Sequence, residues 1–221
     1  MIMKRREFSS TLLAAGALAG SAALTLPGSA RAQGSPVEGT NYVRLSQPVP
    51  ITVPAGKIEV IEFFWYGCPH CNAFEPTLEP WIKRLADDVS FRRVPVAFRP
   101  AYAPHQRIYY ALESLGLLDN MHRKVFYAIH SDRMQLEQRD DITRFMTKNG
   151  LDAVKFMATF DSFSVQTKAR QANDLAAAYK IDGVPAIGIQ GRFYTSGSLA
   201  GSNDKALAVT DFLIQRLRKP V

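Results

Sequence analysis

The chain has little of what staples or metallates a small protein. Only two of its 221 residues are cysteine, which excludes a disulfide-stapled scaffold. Its four histidines, His70, His105, His122 and His130, are scattered, so a four-ligand zinc site of the usual spacings is not expected. Long apolar runs are scarce: the stretch Thr11 to Leu26 is charge-free but too short and too weakly apolar to read as a membrane span. Basic blocks are missing beyond the first few residues. Lys and Arg are spread along the chain, and a pair such as Arg92-Arg93 is weak ground for nucleic-acid binding, so no nucleic-acid partner is expected. What is present is ordinary for a globular protein, with 47% hydrophobic and 21% charged residues, and this rules out a wholly disordered chain. The length suits one domain with a full core, or one domain carrying an insertion.

The first 32 residues read as an address. Lys4, Arg5 and Arg6 precede the apolar stretch, and Pro27-Gly28 and the small-x-small pattern Ala30-Arg31-Ala32 come after it. That order predicts a secretory signal peptide over residues 1–32, cleaved between Ala32 and Gln33; the alternative is an uncleaved N-terminal anchor. Residue 33 is not cysteine, so lipid attachment there is not indicated. Arg5-Arg6-Glu7-Phe8 partly matches the twin-arginine export motif, which leaves that route and the general secretory route both open. Loss of the leader brings the net charge from +7 to about +4.

Beyond the leader, Gln33 to Thr40 is small and polar, and Pro48, Pro50, Pro54 and Gly56 exclude a helix over residues 48–56. Ile58 to Trp65 is apolar on both alternating faces, the pattern of a strand covered on both sides. Phe74, Leu78, Trp81, Ile82 and Leu85 then recur at helical spacing, with Pro76 and Pro80 expected to bend that helix or delay its regular start. Phe91 to Phe98 is the next strand candidate. Strand, helix, strand suggests a parallel crossover unit. The next strand, Ala186 to Gln190, comes only after a long gap whose patterns are helical. This predicts a helical insertion within an α/β domain. Gln190-Gly191, between Ile187–Ile189 and Arg192–Tyr194, signals a hairpin, and a last helix carries Ala206, Leu213, Ile214 and Leu217.

The two cysteines stand in Cys68-Pro69-His70-Cys71. Chance would place two cysteines three apart in roughly one case in 110, so the spacing needs a reason. The motif falls where a strand ends and a helix begins. Unpaired backbone N–H groups and the helix dipole there favour an anion, so a thiolate at Cys68 is stabilised and its pKa lowered. Pro69 suits the first helical turn because it has no N–H to leave unpaired. His70 can add positive charge beside the sulfur. Cys71, one turn further, should be more buried and act as the resolving thiol. A structural disulfide is the plain alternative, but so small a ring stabilises by only roughly 2 kcal/mol. Half of a metal site is excluded by the lack of a second pair; no metal or cofactor is expected.

Glu62-Phe63-Phe64, then Cys68-Pro69-His70-Cys71, behind a signal peptide and ahead of a helical insertion, resembles the DsbA family. These are periplasmic thiol:disulfide oxidoreductases of the thioredoxin superfamily, known for a low-pKa cysteine and a strongly oxidising potential. The resemblance implies a thioredoxin-like domain from residues 33–98 and 166–221, with the insertion at 99–165. It implies a protein that donates its Cys68–Cys71 disulfide to exported proteins in the periplasm. It also implies reoxidation by a DsbB-type membrane partner, and a monomer is expected. Pro185, in Gly183-Val184-Pro185, matches the proline that is cis in such proteins and lies against the cysteine pair, with its neighbour Val184 pairing to bound peptide; Val184 is similar to the oxidase type. Glu62, a carboxylate inside an apolar strand, matches an acid thought to relay protons for the buried cysteine. Its alternative is an edge position facing water. Arg93 falls near where the family has a basic partner for that acid, and an arginine should hold Glu62 ionised more firmly than a lysine. Trp65 and Tyr66 are either contacts for unfolded peptide or core, and Gly67 is expected to open the surface around the sulfur. His105, His122 and His130 have no acid or thiol at useful spacing and read as surface or core. A periplasmic reductase or isomerase on the same fold is the nearest alternative. A peptide-binding chaperone with an incidental disulfide is another, and it predicts that Cys68→Ser keeps all activity.

Overall fold

Strand β2 (Ile58–Phe64) lies inside the sheet because it has no face to offer water: every one of its residues is buried. It pairs in parallel with β3 (Val89–Pro95), in register from Ile58↔Val89 to Phe64↔Pro95. On its other edge it runs antiparallel to β4 (Ala186–Ile189). With β1 (Val43–Arg44) and β5 (Phe193–Ser196) these strands form one mixed sheet in the order β1-β5-β4-β2-β3. This computed structural model describes residues 34–219, and the leader expected over residues 1–32 lies outside them. The hairpin between β4 and β5 turns on Gln190 and Gly191, with φ of 52° and 60°. Two successive left-handed residues give the turn whose twist matches paired strands.

Helix α1 (Pro69–Lys83) makes the crossover from β2 to β3. Its stripe Phe74, Leu78 and Trp81 packs on Val60 and Ile187 of the sheet and on Leu213 and Ile214 of the last helix, α8 (Asn203–Arg218). Trp81 Nε1 donates to Asp211 on that helix at 2.8 Å. Neither Pro76 nor Pro80 delays the helix, which starts at Pro69 and runs through both. Both rings lie on its exposed side. The carbonyls of Asn72 and Pro76, which lose their N–H partners, can therefore turn to water.

Between β3 and β4 the chain is helical: a 3-10 turn (Pro100–Tyr102), then α2 (Ala103–Ser114), α3 (Leu118–His130), α4 (Arg139–Lys148), α5 (Ala153–Phe160) and α6 (Phe163–Ala178). A short α7 (Gly197–Ala200) precedes α8. The apolar faces of the inserted helices cover the side of the sheet carrying Ile61, Phe63 and Ala186. Residue 165, the expected end of the insertion, falls in the first turn of α6. That helix begins earlier because the Ser162 hydroxyl accepts from Val165 N–H and caps it. Among the described residues no helix is long and apolar enough to cross a membrane.

Tyr179, just past α6, locks the insertion to the sheet. Its ring lies 5.2 Å from that of Phe63, and its hydroxyl accepts from Gly191 N–H at 2.8 Å. Gly188 makes the room: a Cβ there would come within 2.6 Å of the Tyr179 ring and 3.1 Å of Phe63. Gly188→Ala should therefore destabilise the protein by about 1–3 kcal/mol through overpacking. The expected result is a lower urea midpoint with an unchanged slope; an unmoved midpoint would show that Tyr179 shifts aside without cost.

Candidate active site

Trp65, Tyr66, Gly67 and Cys68 carry the chain from β2 to α1. Cys68 is the N-cap of α1, with an extended backbone (φ −84°, ψ 116°), and Pro69 follows in the first helical turn. The Cys68 pKa is lowered to about 6. The hydrogen bond from the Cys71 thiol contributes most; the backbone N–H groups of Cys71 and His70 and the charge of His70 add to it, against the opposing effect of burial. Cys71 goes the other way. It has no exposed surface, and burial, then the Cys68 sulfur and the charge of Glu62, push its thiol well above the usual range. Both residues are free thiols in this structure. Chain segments far apart meet here. The Val184–Pro185 bond is cis, and the Val184 carbonyl accepts from the Cys68 thiol at 3.4 Å. His70 lies on the exposed side of the first turn.

Beneath the sulfurs is a cluster of charge. Glu62, on β2, is fully buried, which excludes the edge position facing water. Arg93 Nε donates to Glu62 Oε2 at 3.0 Å. The same guanidinium is also engaged elsewhere: Nη2 donates to Glu75 Oε2 at 3.3 Å and to Glu79 Oε1 at 2.7 Å, both on α1. Glu62 Oε1 is buried with no hydrogen-bond partner. Its pKa is raised to about 8, by burial first; Arg93 opposes this, and the neighbouring Glu75 and Glu79 charges reinforce it. Arg93 does favour the ionised form of Glu62, but burial outweighs it. A guanidinium divided among three carboxylates does not offset the desolvation of one.

Of the aromatic and histidine residues, Tyr66, His105 and His122 are in the core, while the surroundings of Gly67 and the partner of His122 differ from expectation. Gly67 does not open the surface: a Cβ there would lie 2.3 Å from the Trp65 ring, which occupies that space. Trp65 itself stacks on Tyr102 with ring centroids 3.7 Å apart and is partly buried against the core. Tyr66 is wholly buried. Two histidines of α3 hold it: His130 Nε2 donates to the Tyr66 carbonyl at 2.8 Å, and His122 Nδ1 lies 2.8 Å from the Tyr66 hydroxyl. His122 Nε2 is also 3.3 Å from Glu75 Oε1, so this histidine does have an acid partner. His105, buried beside Trp65, has Nε2 2.7 Å from the Gln135 carbonyl oxygen. The four-residue spacing His122-Phe126-His130 on the α3 stripe was the available signal. For Glu75 it was a position one turn after Cys71 on the buried face of α1. Among the described residues no group of three or more His, Cys, Asp or Glu side chains is arranged to hold a metal ion.

Two thiols of opposite acidity at a helix start, above a buried carboxyl of raised pKa, suit thiol–disulfide exchange with a proton supply. Comparison with known proteins agrees. Residues 59–205 match the model of the DSBA-like thioredoxin domain. The thiol:disulfide interchange protein DsbA of Bordetella pertussis is 45% identical over 94% of this chain and 96% of its own length. That of Burkholderia cepacia is 38% identical over 96% and 98%. A crystal structure of Pseudomonas aeruginosa DsbA superposes with a TM-score of 0.79 at 40% identity, covering 82% of this chain and 94% of that one. The Cys68–Cys71 pair thus sits in a scaffold shared with thiol:disulfide interchange proteins, and the chain belongs to the DsbA-like thioredoxin-domain family.

Proposed function

We propose that this thiol:disulfide oxidoreductase works as an oxidase of exported proteins in the periplasm, with Cys68 as the attacked sulfur. A substrate thiolate attacks Cys68 Sγ of the oxidised pair. The Cys68–Cys71 bond breaks, and Cys71 leaves with the electron pair and takes a proton, for which Glu62 is the nearby donor. A second substrate thiolate then attacks the substrate sulfur of the mixed disulfide and displaces Cys68 as a thiolate. The substrate is oxidised by two electrons and the enzyme is reduced by two. Pro69 and His70 shape the helix start that favours the Cys68 thiolate, and Val184 and Pro185 form the wall against which substrate backbone pairs. A DsbB-type membrane partner returns the pair to the disulfide, and the enzyme acts as a monomer without metal or bound cofactor.

The observation that carries this reading is the acidity of Cys68. A leaving thiolate that is stable at neutral pH makes the reduced form favourable, and hence the disulfide a ready electron acceptor. At pH 7 a pKa of about 6 stabilises the reduced form roughly tenfold over an ordinary thiol, about 30 mV of potential for this couple. Equilibration of the protein with glutathione buffers should give a potential near or above about −150 mV. A value near about −230 mV or below would assign the protein to the reductases instead. Cys68→Ser should abolish oxidation of a reduced test protein; retained activity would point to a chaperone.

The same acidity makes the stability of the reduced protein depend on pH. An unfolded thiol ionises near about 8.5, well above the folded value, so the folded state holds its proton less tightly. The thiolate's contribution is then complete above about pH 8.5, at most about 1.4 kcal/mol at pH 7 before solvent screening, and lost as pH falls through about 6. The urea midpoint of the reduced protein, compared with that of Cys68→Ser from about pH 5 to 8, should show a gap that widens with pH. A constant gap would mean that Cys68 contributes by packing alone.

A further inference from the structure

His122 is delivered from the insertion into the charge cluster beneath the thiols, and its protonation state can be worked out from its partners. Burial holds its imidazole below the ordinary range, against the opposing bond to Glu75. Burial likewise pushes the Tyr66 phenol well up, so Tyr66 keeps its proton. The Tyr66 hydroxyl then donates to Nδ1 at 2.8 Å, and the imidazole's own proton sits on Nε2, facing Glu75 Oε1 at 3.3 Å. His122 is thus a neutral bridge from the turn before Cys68 to the carboxylate that competes with Glu62 for Arg93. Burial alone would raise the Glu75 pKa. The hydrogen bond from His122, the charge His122 carries when it is protonated, and the positive charges of Arg93 and Arg123 outweigh it and hold Glu75 below the usual carboxylate range.

We propose that His122 is a positioning residue for the proton transfer at Cys71: its N–H keeps Glu75 charged and on Arg93, which leaves Glu62 with only a share of the guanidinium and free to carry a proton. This rests on the reading of Glu62 as proton donor. The groups facing Glu62 are Arg93 from β3, Glu75, Glu79 and Cys71 from α1, Tyr66 from the turn, and Tyr109 from α2. Those facing His122 are Tyr66, Tyr109, Glu75, Glu79 and Arg93. Without the His122 N–H, Glu75 is a buried carboxylate short of a donor, and protonation is its relief. One like charge near Glu62 then disappears and Arg93 turns more fully to Glu62. Both changes lower the proton affinity of Glu62, so at neutral pH the departing Cys71 thiolate meets an acid that has already lost its proton.

The test is a titration of Glu62 by its carboxyl carbon resonance in the isotope-labelled, oxidised protein, in which neither thiol ionises; Glu62→Gln identifies the signal. Wild type should titrate near pH 8. His122→Phe should titrate lower by on the order of one pH unit, a tenfold loss of proton affinity, and its rate of substrate oxidation should decline from a correspondingly lower pH. His122→Gln, whose amide can donate to Glu75 while its oxygen accepts from Tyr66, should keep the wild-type midpoint. A wild-type midpoint in the ordinary carboxyl range would overturn the role of Glu62 itself. A raised wild-type midpoint that His122→Phe leaves in place, even with a lower melting temperature, would leave the Glu62 reading intact and overturn that of His122. Loss of the midpoint in His122→Gln as well would overturn it too. Should His122→Phe not fold, Glu75→Gln must lower the Glu62 midpoint by a similar amount, and an unmoved midpoint there overturns the proposal.

Discussion

One guanidinium answers three carboxylates in the space between α1, β2 and β3, and the acid–base character of the site follows from that shortage. With Glu62, Glu75 and Glu79 all ionised, Arg93 would leave two negative charges uncompensated. Glu79 is partly exposed and can shed part of that burden to water, whereas Glu62 and Glu75 have no exposed surface. The two buried acids are not equal claimants. Glu75 holds Arg93 and the N–H of His122, while Glu62 holds one Arg93 contact and keeps Oε1 without a partner. Desolvation is relieved at least cost by neutralising the weaker claimant, so Glu62 is the one that carries a proton.

The helix start imposes a second asymmetry, this time on the sulfurs. Cys68 and Cys71 lie within one turn of each other, yet one thiol is pushed down and the other up. The N-cap position gives Cys68 the free N–H groups of the first turn, and the Cys71 thiol donates to it as well. Cys71, in the first turn of the helix, has no exposed surface and faces the charge of the buried Glu62. The hydrogen bond between the thiols sharpens the contrast, since a proton held on Cys71 stabilises the anion on Cys68. Exposure gives the disulfide its direction of opening: Cys71 has no exposed surface, so an incoming thiol meets Cys68, and the low Cys68 pKa makes it the better leaving group when the mixed disulfide is resolved.

Local rules made part of this legible in the sequence. The cysteine pair, Pro69 at the first turn, Glu62 inside an apolar strand, the Gln190-Gly191 hairpin and the helical insertion all depend on neighbours a few residues away. What stayed hidden depends on docking. His122 lies 56 residues from Tyr66 and 47 from Glu75, and only the seating of α3 brings them together. The division of Arg93 was hidden for the same reason. Its proximity to Glu62 was expected from the family resemblance alone, and Glu75 and Glu79 reach it only through the way α1 lies over the sheet. The delay expected from Pro76 and Pro80 does not occur because both rings lie on the exposed side of the helix, a placement that a proline rule written for an isolated helix leaves out. Gly67 misled because the Trp65 ring that fills its space is held by Tyr102 of the 3-10 turn.

The buried cluster and the helix start together reverse an order that ordinary chemistry sets. In water a glutamic acid gives up its proton roughly four pH units before a cysteine does. Here Cys68 ionises near 6 and Glu62 near 8, so across neutral pH the sulfur is the anion and the carboxyl keeps the proton. Neither half would suffice alone. A low thiol pKa above an ionised Glu62 would set two negative charges close together and give the departing Cys71 no proton. A protonated Glu62 beneath an ordinary thiol would supply a proton to a sulfur pair with little reason to open. The inversion draws on both parts of the fold. The α1 N-terminus and the sheet supply the sulfur and the carboxyl, and α3 of the insertion supplies the histidine that decides which buried acid Arg93 serves. An insertion placed between β3 and β4 thus reaches the chemistry through the charge state of the residues beneath the thiols.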